Sequence, residues 1–283
     1  MSAQHHLAIR WTIGDVSPRG FEALGLSIWG AWHVFGPDAA YVVCVNSIEL
    51  REARQRAGPV PPSIRWQAVG AGDLPVFLRP LLARNMAQGT GWKFAPLSVN
   101  PRQVEIALDN DAILWAMPPS IQRWLAAGLE KGECLLAQDV RGLYGQFTPL
   151  VPSEPPLNSG IRGLPPGFDF ASALRRAIET REHQLGAALS FGSELDEQGL
   201  QAAALARAGP LHTVSVDEVS ICSPFPPHRP NLGRCGAHFV GLNTRHIDWD
   251  YYGRPADDCM AEHWQRHRAE LYARTGAPMK VST

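Results

Sequence analysis

The spacing of apolar residues changes period repeatedly along this chain, and each period predicts an element. Leu7–Ile13 is a short apolar run rich in β-formers and predicts a first strand. Phe21, Leu24, Ile28 and Trp32 recur at helical spacing and predict a helix over Phe21–Phe35, stopped by Gly36 and Pro37. Ala40–Val45 is nearly all apolar, the pattern of a strand covered on both faces. Ser63–Val69 predicts a third strand, Leu74–Met86 a helix, Val104–Leu108 a further strand that stops at Asp109, and Ser120–Leu129 a helix. Helices follow over Phe170–Ala188 and Glu197–Ala208, and a charged one over Cys259–Arg274. Strand and helix alternate as far as residue ~130, an order that favours a mostly parallel sheet with helices on both faces. Sites in such sheets lie at the carboxyl ends of the strands. No break in composition marks a boundary, so a single domain over 1–283 is expected, its portion after residue 130 richer in loops.

Composition narrows the classes. The chain of 283 residues is 45% hydrophobic and 19% charged, the profile of a globular protein with a sizeable core. A net charge of −1 provides no basic field for nucleic acid or an acidic membrane surface. No apolar run approaches the roughly 20 residues of a transmembrane helix, and Met1–Arg10 lacks the apolar centre of a signal peptide. Five cysteines (Cys44, Cys134, Cys222, Cys235 and Cys259) lie far apart with no CxxC pair, which reads as reduced thiols in a cytoplasmic protein. The 24 prolines cluster in stretches such as Pro152–Pro156 and Pro224–Pro230 and suggest stiffened loops around the core.

The chemistry concentrates in Val104-Glu105-Ile106-Ala107-Leu108-Asp109-Asn110-Asp111, where an apolar strand runs into acids. Side chains two apart in extended chain point the same way, so Asp109 and Asp111 project together and Asn110 projects opposite. Two converging carboxylates repel unless a cation lies between them, and hard oxygen ligands suit Mg²⁺ or Mn²⁺. A nucleoside diphosphate leaving group needs such a cation, because it gains negative charge as its bond breaks. The pair also reads as a turn, which Asp and Asn favour. A third reading is the nucleophile loop of haloacid-dehalogenase-type phosphatases, with Asp109 attacking phosphorus and Asp111 as acid/base. That family places its loop at the start of its core domain, and the later acids Asp257 and Asp258 follow a proline where its metal loop follows a strand.

Four short segments together resemble the GT-A glycosyltransferases, especially the family-eight retaining galactosyl- and glucosyltransferases. Trp92-Lys93-Phe94 stands where that family places a basic residue reaching the donor. Leu108-Asp109-Asn110-Asp111 matches its D-x-D, and Leu157-Asn158-Ser159-Gly160-Ile161 is similar to its F-N-[AS]-G strand. Gly236-Ala237-His238-Phe239-Val240-Gly241 is similar to its H-[YF]-x-G segment, and all four occur in the family's order. The resemblance implies a three-layer α/β/α nucleotide-diphospho-sugar transferase (GT-A) fold, with 1–130 as the nucleotide-binding half and 131–283 as the acceptor half. It implies Mn²⁺ or Mg²⁺ held by Asp109, Asp111 and His238, a UDP- or GDP-sugar donor, and a small-molecule or glycan acceptor. Lys93 and Asn158 are then expected at the donor sugar, Gly241 at the diphosphate, and Asp15 at the base or ribose. Arg245 is expected as a phosphate clamp, one position displaced from the family's lysine. Leu195-Asp196-Glu197-Gln198-Gly199-Leu200 resembles the family's D-Q-D-x-L-N region, which places Asp196, Glu197 and Gln198 at the reacting carbon. The same acids also suit a helix N-terminus capped by Ser193.

Other patterns point elsewhere. His263 and His267 share a helix face at a spacing that can hold zinc, but the glutamate of a metalloprotease motif is absent, and the pair reads as a solvated face. No phosphate-binding GxxxxGK[ST] loop or G-x-S-x-G elbow occurs. A non-catalytic binding protein on the same fold is the reading from a different class.

Overall fold

The computed structural model describes residues 6–82, 90–243 and 249–279. In chain order its elements are β1 (Leu7–Ile13), α1 (Pro18–Phe35), β2 (Ala40–Val45), α2 (Leu50–Ala57), β3 (Ile64–Ala68), β4 (Val104–Leu108), β5 (Ala112–Leu114) and α3 (Pro119–Arg123). Then come β6 (Cys134–Gln138), β7 (Leu157–Leu164), α4 (Phe170–Leu185), α5 (Glu194–Ala208), β8 (Leu211–Val214), β9 (Val219–Ile221), β10 (Gly236–His238), β11 (Asp250–Tyr251), β12 (Arg254–Pro255) and α6 (Ala256–Thr275).

A 7-stranded sheet runs in the order β3-β2-β1-β4-β7-β6-β8. All its pairs are parallel except those of β7, which lies antiparallel to both β4 and β6. Successive side chains of a strand face opposite sides of the sheet. Along β2, Val42 and Cys44 accordingly enter one core while Tyr41, Val43 and Val45 enter the other. The first core lies under α4 and α5 (Leu174, Ala177, Leu200, Ala203); the second lies under α1, α2 and α3 (Phe21, Leu24, Ile28, Ala53, Ile121). The result is the three-layer α/β/α arrangement with a mostly parallel sheet that the strand–helix alternation predicts.

A smaller sheet, β5-β10-β9, sits beside the first, and α6 packs over it and against α1. Ala23, Leu26, Ile113, Ala237, Phe239, Met260 and Trp264 form this third core. Glu22 of α1 ties the two helices by accepting from Trp264 Nε1 (2.8 Å), Arg268 Nε (2.7 Å) and Tyr272 Oη (2.8 Å).

Two expectations change. The apolar spacing over Leu74–Met86 does not make a helix within its described part: Leu74–Leu82 forms turns after a single 3₁₀ turn at Ala71–Asp73, and 83–89 lie outside the described residues. Pro75 and Pro80 remove amide donors, and a proline ring clashes with the carbonyl four residues back. Leu74, Leu78 and Leu81 are still buried, so the periodicity came from a loop folded onto the core. The helix predicted over Ser120–Leu129 is a ribbon of changing pitch: α3 is followed by a π-turn at Trp124–Gly128 and a 3₁₀ turn at Leu129–Lys131. Among the described residues no helix is long and apolar enough to cross a membrane.

Candidate active site

The sheet builds outward from β1 in both directions, β2 on one side and β4 on the other, so chain order reverses between β1 and β4. The carboxyl ends of strands at such a reversal leave a crevice, because the following segments depart to opposite sides. Here the crevice is a cleft of about 550 Å³, lined by residues that follow β1 and β4 and by others from β10, β7 and α5.

Asp109 and Asp111 sit in the tight turn between β4 and β5, closed by the Ala112 amide donating to the Asp109 carbonyl at 3.0 Å. The turn reading of this segment holds, and the turn leaves both carboxylates lining the cleft. β10 pairs antiparallel with β5, register His238 opposite Ala112, which brings an imidazole from far along the chain onto the acids. His238 Nε2 lies 3.5 Å from Asp109 Oδ2 and 3.3 Å from Asp111 Oδ1. One ligand atom from each of the three residues lies within 4.8 Å of the others. Among the described residues, Asp111 Oδ1 and His238 Nδ1 are buried with no aligned hydrogen bond. A buried carboxylate oxygen that meets only the imidazole at 3.3 Å is poorly compensated, and a divalent cation would satisfy it. Two carboxylates and one imidazole form a donor set that suits Mn²⁺ or Mg²⁺, so these residues fit the expected ion.

Gly160 of β7 makes room for the ring. A Cβ there would stand 2.3 Å from His238 Cε1. Burial alone would lower the pKa of His238, but the contacts with Asp109 and Asp111 outweigh it, and the imidazole is pushed up to about 10.

Lys93, on the 3₁₀ turn Thr90–Phe94, places Nζ 2.8 Å from Asp109 and 3.4 Å from Glu197 Oε2. Burial disfavours its charge, yet Asp109 and Glu197 reverse the balance and hold the ammonium well above the usual lysine range. Burial would raise the Asp109 carboxyl, but the Lys93 charge and then His238 hold it well below the usual range. Glu197 moves the other way: burial raises it, and Lys93 offsets this only in part. Beneath them, Arg10 and Arg162 flank Glu105 at 3.7 and 3.3 Å, and Arg10 also donates to the Lys93 carbonyl at 2.6 Å. This buried trio pins the turn that carries Lys93.

The remaining expected residues divide. Glu197 and Gln198 line the cleft; Gln198 Nε2 donates to the Leu143 carbonyl at 2.9 Å, and its Oε1 accepts from the Ser159 amide at 3.4 Å. Asp196 does not line it. Its carboxylate accepts from the amides of Gln146 (2.9 Å), Gly192 (2.9 Å) and Ser193 (3.2 Å), closing a capping box at the start of α5. The helix-terminus reading describes that residue. Asn158 lines the cleft with its amide already engaged, donating to Asp139 Oδ2 at 2.8 Å and accepting from the Gly160 amide at 2.7 Å. Asp15 is at the cleft edge and pairs with Arg56 at 2.9 Å. Gly241 lines the cleft at φ +88°, a conformation that favours glycine. Arg245 lies outside the described residues.

Sequence reasoning missed several cleft residues, among them Asn46, Asp139, Arg141, His228 and Asn243. Asn243 matters most: its Nδ2 donates to Asp111 Oδ2 at 3.0 Å and to Asn110 Oδ1 at 2.9 Å, which fixes how Asp111 faces the cleft. Asn46 follows directly on β2, and a polar residue ending an all-apolar strand was the one available signal for it.

The order of the sheet and the cleft at its reversal point are those of the GT-A fold. Solved structures of glycosyltransferases agree. The galactosyltransferase LgtC, solved with donor and acceptor sugar analogues, superposes with a TM-score of 0.55 at 12% identity, over 97% of this chain and 97% of its own. Mouse xyloside xylosyltransferase 1, in its apo form, gives a TM-score of 0.55 at 12% identity over 85% of this chain and 99% of its own. The apo bifunctional glycosyltransferase WbbM gives 0.54 at 13% identity over 97% of this chain and 52% of its own. No protein-family model and no curated protein matches the sequence.

Proposed function

We propose that this protein is a metal-dependent glycosyltransferase that moves a sugar from a UDP- or GDP-sugar to a hydroxyl of a small-molecule or glycan acceptor. One observation carries the reading: ligand atoms of Asp109, Asp111 and His238 converge within 4.8 Å in the cleft at the strand ends. These residues would hold Mn²⁺ or Mg²⁺, which would supply Lewis-acid neutralisation of the charge on the departing nucleoside diphosphate.

The chain's own groups supply the rest. Gly241 lets the backbone approach the diphosphate closely, and Asp15 with Asn46 faces the base and ribose from the ends of β1 and β2. Arg245 is the phosphate clamp that the family resemblance implies. Lys93 and Asn158 face the donor sugar. Lys93 stays charged, so it can bind a sugar hydroxyl while keeping Asp109 ionised. Glu197 and Gln198 line the wall where the reacting carbon is held, and their anchoring by Lys93 and by the Leu143 carbonyl keeps them oriented. Residues 1–130 supply the nucleotide side, and later loops, including that of His228, supply the acceptor side.

The phosphatase reading loses its metal loop. Asp257 pairs with Arg19, and neither Asp257 nor Asp258 lines the cleft.

The test is a screen of nucleotide-sugars for donor hydrolysis with Mn²⁺, alongside thermal unfolding with Mn²⁺ and each nucleoside diphosphate. A ligand at about 100 times its Kd contributes ~2.7 kcal/mol, so one metal–nucleotide pair is expected to raise Tm clearly. Absence of both turnover and a Tm rise for every pair defeats the proposal. Release of phosphate from simple esters revives the phosphatase. Ligand binding and biological effect that both survive Asp109→Asn point to a non-catalytic binding protein.

A further inference from the structure

His263 and His267 do not form the solvated face that the sequence suggests. They are 1% and 8% exposed, on the side of α6 that packs with Ile113 of β5 and Ala237 of β10. Cys222, the residue after β9, meets them with no exposure at all, and one ligand atom from each of the three lies within 4.8 Å of the others. Cys222 Sγ is 3.2 Å from His263 Nε2, and the two imidazole centroids are 4.8 Å apart.

The contacts of the two rings fix which nitrogen of each is turned toward a ligand. His263 faces the thiol with Nε2, and its Nδ1 is buried without a partner among the described residues. His267 Nε2 lies 2.8 Å from the Pro230 carbonyl. A carbonyl only accepts, so Nε2 carries the proton and Nδ1 of the neutral ring carries the lone pair. A carbonyl that fixes the tautomer through the far nitrogen is the usual support of a metal-binding histidine. Histidines four apart on one helix face, joined by a thiol from another element, match the ligand types and spacing of zinc sites.

From this juxtaposition we infer that Cys222, His263 and His267 bind one zinc ion, separate from the Asp109–Asp111–His238 centre, and that it clamps α6 to the end of β9, the strand paired with the one carrying His238. The soft thiolate and two imidazoles select Zn²⁺ over the hard cations that suit Asp109 and Asp111. Binding exchanges the Cys222 S–H bond for a sulfur–zinc bond and releases the proton to solvent. Three protein ligands leave the fourth tetrahedral position to a non-protein ligand. The link to the cleft is direct. The Cys222 amide donates to the His238 carbonyl at 2.7 Å, and Phe239 packs against His263 and His267, with centroids at 5.9 and 6.1 Å. The inference does not depend on the sugar-transfer reading, because its residues lie outside the cleft lining.

The test titrates the reduced full chain with Co²⁺ as a spectroscopic stand-in for Zn²⁺. One equivalent should develop a thiolate-to-cobalt charge-transfer band that Zn²⁺ then abolishes. The Asp109→Asn/Asp111→Asn double variant should keep the band. Cys222→Ser should lose it, with an unchanged far-ultraviolet circular dichroism spectrum. His267→Asn should weaken metal binding by roughly 10-fold or more. No band in the wild type, or a band that survives Cys222→Ser, overturns the proposal. Should Cys222→Ser fail to fold, zinc-edge X-ray absorption of the wild type with one equivalent of Zn²⁺ decides. A shell with one sulfur supports the site, and a shell of nitrogen and oxygen alone overturns it.

Discussion

Gly160→Ala presses hardest on the His238 imidazole, with Asn158 Oδ1 at 2.8 Å the next contact. β7 is extended at this position and leaves no backbone reason to exclude alanine; only space does. The added methyl would stand 2.3 Å from His238 Cε1 and 2.6 Å from Nδ1. An ordinary contact begins near 3.4 Å, so the ring must retreat by 3.4 − 2.3, or about 1 Å. It cannot take its two acid contacts of 3.3 and 3.5 Å with it, because Asp111 is fixed by Asn243 and Asp109 by Lys93. A displacement of 1 Å in a catalytic constellation costs on the order of 10²-fold in rate. Overpacking costs ~1–3 kcal/mol of stability, which leaves the chain folded. The assay pairs Mn²⁺ titration, followed by thermal stabilisation, with donor hydrolysis at saturating metal. Weaker Mn²⁺ binding and a kcat/KM lower by about 10²-fold are expected. If Mn²⁺ affinity and turnover both stay within ~2-fold of wild type, the packing of His238 against Gly160 is not what positions the third ligand.

Three further outcomes follow from the same geometry. Asn243→Ala frees the Asp111 carboxylate and should weaken Mn²⁺ binding about 10-fold or more, measured by the same titration. Lys93→Met leaves Asp109 and Glu197 without their shared counter-charge; urea unfolding should show a loss of ~3 kcal/mol at pH 8 and a smaller loss at pH 5, where the freed carboxylates accept protons. Equal losses at both pH values would falsify that assignment. Burial, opposed only by Arg162, pushes the Cys134 thiol up to about 12 from an ordinary 9.0. A raised folded-state pKa means the contribution is complete below pH ~9 and is lost as pH rises toward 12, at ~1.4 kcal/mol per pH unit. Cys134→Ala should therefore flatten the alkaline fall of stability by up to one proton, and an unchanged slope refutes the assignment.

The architecture was legible where apolar residues cluster densely. The runs at Leu7–Ile13, Ala40–Val45 and Val104–Leu108 became adjacent parallel strands, because a strand covered on both faces has no polar positions to blur its signal. α2 escaped notice because only Ala53 and Ala57 of its eight residues are buried, too thin a stripe to mark a helix. β8, β9 and β10 are three or four residues long, shorter than a period can be read from. At the site, Asp109, Asp111 and His238 came from motif order, whereas Asn46 and Asn243 became neighbours of the cleft only through topology. The buried histidines were misread for a different reason. Met260, His263, Trp264, His267 and Leu271 form one buried stripe at helical spacing, and charged residues between them gave the helix a wet appearance. Two histidines in an otherwise apolar stripe were the overlooked signal.

The antiparallel pairing of β10 with β5 has a consequence for the order in which the protein matures. The seven-stranded sheet needs nothing beyond Val214, so a growing chain can assemble it before His238 has been synthesised. Until that later strand docks, Asp109 and Asp111 lack the His238 imidazole that faces them in the finished structure. On the proposed reading, the metal centre is completed only when the strand carrying His238 docks against the β4–β5 turn.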